Sequence, residues 1–122
     1  MTKEILKLLF ETIFKEYQFK TIVDNTIHYT VSSGIIENID WHYRINAFEF
    51  AIFYCKSYVV KNSGWTLQSY TNERDAGICR VKVGDGQEIN KFIASSEVEA
   101  IFKATEWVYT ELKNKGKINE DM

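Results

Sequence analysis

The chain is expected to fold as an α+β domain: a three-stranded antiparallel meander packed with two or three helices, in the order α-(ββ)-α-β-β-β-α. Three observations predict this. Apolar residues recur at three- and four-residue spacing near both ends and in the middle of the chain. Two-residue alternation occupies the stretches between them. Gly, Asn, Asp and Ser punctuate these runs, since the chain has no proline. A length of 122 residues suits one core, so 1–122 is read as a single domain.

The first helix is expected over 3–17. Leu6, Leu9, Phe10, Ile13, Phe14 and Tyr17 share one face, and Glu4, Lys7, Glu11 and Lys15 line the other. That face is mixed in sign, which suits core packing rather than a membrane surface. FKTIV and TIHYTV then flank Asp24-Asn25 as a small hairpin, with Ile27, Tyr29 and Val31 on one side. Residues 32–40 read as a loop with a helical turn.

Asn46 followed by Glu49 opens the second helix, and Asn62-Ser63-Gly64 stops it. Phe48, Ile52, Cys55 and Val59 make one apolar stripe, and Phe50, Ala51, Tyr54 and Tyr58 make another. The second stripe has to be covered, by the first helix or by a second copy of the chain, so Phe50, Tyr54 and Tyr58 are interface candidates. Strands are expected at 65–71, 78–83 and 90–94, with Gly84-Asp85-Gly86 as a turn. Cys79 and Val81 face the core, while Ile78, Arg80 and Lys82 face outward. Ser96 and Glu99 cap the last helix, whose stripe is Val98, Ile101, Ala104, Val108 and Leu112. Gly116 suits its end, and 113–122 reads as a frayed tail.

From Tyr43 to Leu112 the chain resembles the phage-encoded ABA-sandwich domains, helix–strand–strand–strand–helix modules of unknown function. The likeness rests on the capped helix ending at Gly64-Trp65, the three short strands, and IASSEVEAIFKATEW with its Ser-x-x-Glu cap. It implies a phage or mobile-element origin and no defined chemistry.

Composition and motifs narrow the functions. With 15 basic and 17 acidic residues the net charge is −2, so neither a general polyanion binder nor a nucleic-acid mimic is expected. Two cysteines are too few for a secreted disulfide scaffold, which points to a reducing, cytoplasmic setting. No stretch is long enough to span a bilayer. Both Cys55 and Cys79 read as core thiols rather than nucleophiles. His28 and His42, with Asp40 beside the latter, lack metal-ligand spacing, and no cofactor or metal site is expected. Nucleotide-binding glycine loops and a nucleophile elbow are absent. Asp40, Glu73, Asp75, Asp85 and Glu88 all lie in loops, and with Lys82 or Lys91 they supply the groups of a metal-dependent hydrolase only if they converge.

The expectation is a non-enzymatic protein-interaction module that binds a protein partner or itself. Tyr70, Ile78, Arg80 and Lys82 on the outer sheet face mix aromatic and basic groups, which supports an alternative as a nucleic-acid-binding accessory protein. Trp41 and Tyr43, ahead of the second helix, form an aromatic pair suited to a protein contact.

Overall fold

Helix α1 (Lys3–Ile13) buries Leu6, Leu9 and Phe10, the centre of the expected stripe. A computed structural model describes residues 3–32, 40–74 and 76–116 of the chain. The helix stops earlier than the periodicity predicts. A turn closes over Phe14 to Tyr17, with the Tyr17 amide donating to the Phe14 carbonyl at 3.0 Å. That turn swings Tyr17 off the helix and onto the first sheet, where its ring meets Tyr29 at 5.2 Å.

The first sheet pairs β1 (Gln18–Val23), β2 (Thr26–Ser32) and β3 (Asp40–Asn46), all antiparallel. The hairpin forms at Asp24-Asn25, both residues having positive φ (49° and 62°) as a two-residue turn requires. β3 is the one element the sequence reading lacked. Trp41 to Ile45 alternate large apolar and polar groups, yet precede an N-cap closely enough to read as a connector. Of the 32–40 loop, 33–39 lies outside the described residues, as do Asp75 and the tail 117–122.

The middle helix α2 spans 47–63: an α segment Ala47–Glu49, a π segment Phe50–Cys55 and an α segment Lys56–Ser63. Asn46 caps it, its side-chain oxygen accepting from the Phe48 and Glu49 amides, and Gly64 ends it with φ 75°. The π turn changes which residues face inward. An α-helix rotates by about 40° beyond a full turn over four residues, so positions four apart drift around its axis. The wider π turn takes up part of that drift. Ala47, Ala51, Cys55 and Val59 therefore stay on one face, all of them buried.

The second sheet is the expected meander: β4 (Thr66–Thr71), β5 (Gly77–Lys82) and β6 (Glu88–Ala94). Helix α3 (Glu97–Asn114) crosses its inner face, capped by Ser96 as predicted. Gly77 and the start of α3 approach closely: a Cβ on Gly77 would lie 2.0 Å from the Ser96 carbonyl carbon. Helix α3 also packs against α1 and α2. One contiguous cluster joins Phe19 and Ile27 of the first sheet, the three helices, and Leu67, Cys79 and Val81 of the second. Each sheet therefore lays its apolar face on the helices. No described helix is long and apolar enough to cross a membrane.

Candidate functional site: an aromatic surface on the first sheet

Registry in the first sheet places Tyr29 opposite Tyr43 and Val31 opposite Trp41. These residues share the face that α1 covers further along. The Tyr29 and Tyr43 rings stack at 5.6 Å with a 22° interplanar angle. Tyr17 stands edge-on to both, and through Phe14 the ring contacts continue to Tyr54 of α2 at 4.7 Å. The result is one band of rings from the edge strand β3 to the side of α2. Its inner end is sealed by Phe10, fully buried and in contact with Phe14, Phe19, Tyr29 and Phe50. Its outer end is open, with Trp41 54% and Tyr43 43% exposed.

The band is polar at its rim. Burial pushes the Tyr29 hydroxyl up from its ordinary titration range, and the neighbouring Tyr17, Tyr54 and Tyr43 hydroxyls and the Glu49 carboxylate add to this. The Tyr29 phenol is thus held neutral beside rings that bury apolar area. Tyrosine and tryptophan combine both properties at low entropic cost, which is why they anchor protein contacts.

Two expectations are corrected here. Phe50 is fully buried and Tyr58 is half-buried against the core, so the centre of the stripe proposed as an interface lies inside the molecule. α1 and the turn after it cover it, through Phe10 and Phe14 on Phe50 and Phe14 on Tyr54. Tyr54 is exposed at the rim of the band. Solvent instead meets Phe48, Phe53 and Val60 on α2.

Ile78 is the second correction. It does lie on the outer face of the second sheet, between Tyr70 and Ile93, but is only 8% exposed. A flanking residue on each side shields it. Arg80 and Lys82 share that face, and α1 does not cover it. Arg80 is already engaged: its guanidinium pairs with Glu88 and donates to the Tyr70 hydroxyl at 3.1 Å. The same pairing holds the Glu88 carboxyl below its usual range.

The remaining polar candidates separate into structural roles. Asp85 accepts from the Gln87 amide within the β5–β6 turn, whereas Glu73 lies in the β4–β5 turn at the other end of the sheet. Cys55 and Cys79 are buried free thiols, both raised by burial, Cys79 to about 12. The fold does bring His28 and His42 together, on diagonal positions of β2 and β3, with Nδ1 and Nε2 3.0 Å apart. Among the described residues no group of three or more metal-ligating side chains assembles. A shallow cleft of about 510 Å³ opens where Leu6, Asn46, Phe48, Ser96 and Val98 meet.

No protein-family model, curated protein or solved structure matches this chain.

Sequence reasoning reached Trp41 and Tyr43 but not Tyr17 or Tyr29 as their partners. Tyr29 was legible as an inward residue of β2. Its stacking on Tyr43 depends on the β2–β3 register, which exists only once 40–46 is a strand.

Proposed function

We propose that this chain is a non-enzymatic protein-interaction module whose docking surface is the aromatic band ending at Trp41 and Tyr43. The observation that carries this reading is the open end of the band: Tyr43, about half exposed and packed on the tyrosine cluster behind it, with half-exposed Trp41 two residues away on the same face of β3. Pre-packed rings lose little freedom when a partner covers them, so their burial goes into affinity. The likeness of 43–112 to the ABA-sandwich domains, which share the order helix, three strands, helix, supports a phage or mobile-element origin. Buried free cysteines suit a reducing compartment such as the cytoplasm.

The nucleic-acid alternative has less behind it. Its principal cation, Arg80, is neutralised by Glu88, and Ile78 offers almost no surface. The hydrolase alternative needs converging carboxylates, and Glu73 and Asp85 sit at opposite ends of the second sheet.

A photo-crosslinking residue at position 43, introduced into the full chain in its native host, tests the reading. Covalent adducts at position 43, absent when the same residue replaces exposed Lys103 of α3, are expected. A position 43 that crosslinks no more than position 103 would remove the proposal.

A further inference from the structure

Both sheets have three strands, so four strands are edges, and three of these are blunted. β1 carries a one-residue bulge at Lys20 and β6 one at Ile89, each of which interrupts the ladder. β4 lies beside the last turns of α2. β3 is neither bulged nor, among the described residues, covered by another element, and it pairs with β2 in seven unbroken steps.

Which groups β3 turns outward follows from the hairpin. Val23 and Thr26 close the two-residue turn, so Thr26 directs its N–H and C=O to β1. Alternation then directs Ile27, Tyr29 and Val31 toward β3, and their partners Ile45, Tyr43 and Trp41 back toward β2. His42 and Arg44 are left with N–H and C=O facing the open edge. The amino acids there read as self-complementary. Antiparallel pairing of two β3 strands centred on His42 sets Asp40 across from Arg44 and Trp41 across from Tyr43, twice each. No like charges oppose. The Trp–Tyr pairs fall at the closely spaced, non-hydrogen-bonded positions, where side chains pack best. Trp41 of the second copy would continue the Tyr29–Tyr43 stack. The His42 ring is drawn back over its own sheet by the bond to His28, which leaves the axis clear.

We infer that the partner of the aromatic surface is a second copy of this chain, joined β3 to β3 into a continuous six-stranded antiparallel sheet across a two-fold axis. This rests on the reading of Trp41 and Tyr43 as a docking surface. Sedimentation of the full chain at micromolar concentration tests it, with circular dichroism confirming that each variant is folded. The wild type is expected at twice the 14.3 kDa of the chain. Arg44→Asp and Asp40→Arg each place like charges across the axis, and each is expected to weaken the dimer at least tenfold. An equimolar mixture of the two restores both opposite-charge pairs, so a dimer reappears that contains one copy of each. A wild type that stays monomeric, a dimer indifferent to both changes, or a mixture that dissociates like its components would overturn the inference. A monomer that still crosslinks through position 43 to a different protein ends self-pairing and leaves the interaction surface standing. A monomer with no adduct ends both.

Discussion

Replacing Gly77 by alanine places one methyl group against backbone that cannot yield. The added Cβ would lie 2.0 Å from both the carbonyl carbon and oxygen of Ser96 and 2.3 Å from the Glu97 amide nitrogen. Normal carbon contacts are about 3.5–4.0 Å, so the start of α3 would have to retreat by well over an ångström. Overpacking a core with side chains that can adjust costs about 1–3 kcal/mol. Here the obstacle is the cap of the helix that buries eight residues, among them Ile101, Ala104 and Val108. A loss of at least about 3 kcal/mol is expected, a large share of the roughly 5–15 kcal/mol that holds a domain together. For a chain of this size that corresponds to a fall in Tm of about 10 °C or more. Urea unfolding followed by tryptophan fluorescence measures it, with Gly84→Ala as control, since a Cβ at Gly84 meets nothing within 4 Å. If the two variants unfold within 1 kcal/mol of each other, roughly the spread of ordinary surface substitutions, the close approach of β5 and α3 is wrong.

Phe10→Ala removes the ring on which Phe14, Phe19, Tyr29 and Phe50 converge, and should cost about 3–5 kcal/mol in the same assay. Phe53→Ala, on a side chain 64% exposed, should stay within about 0.5 kcal/mol; an equal loss at both positions would contradict the inward register that the π turn sets. Ser96→Ala removes the acceptor for the Glu99 amide at 3.2 Å and should cost about 1 kcal/mol, with no change in unfolding slope. Cys55 and Cys79 should be silent to Ellman's reagent in the native chain and both react in denaturant, because burial raises both thiols. Folding holds them protonated, so their contribution to stability is whole below the ordinary thiol range and declines as pH climbs toward about 12. Rapid native labelling at neutral pH would show that one of them lies at an accessible surface.

Local signals in the chain determined most of the elements by themselves. The caps at Asn46 and Ser96, the stop at Gly64, the Asp24-Asn25 turn and the inward alternation of Cys79 and Val81 depend on neighbours a few residues away. Such interactions survive in any fold, which is why they can be read directly. Tertiary structure decided what these elements did with their surfaces. A π turn in α2 cannot be foreseen from apolar spacing, and α2 buries Phe50 while leaving Phe53 exposed. Residues 40–46 became a strand because β2 offered an edge, a partner that no window of sequence contains. That pairing set Tyr43 on Tyr29, left Trp41 at the margin, and brought two histidines fourteen residues apart into contact. The outer face of the second sheet was located correctly, but the ion pair between Arg80 and Glu88 spans two strands and was invisible along one. Side chains whose neighbours are close in the chain were legible, and those whose neighbours come from another strand or helix were not.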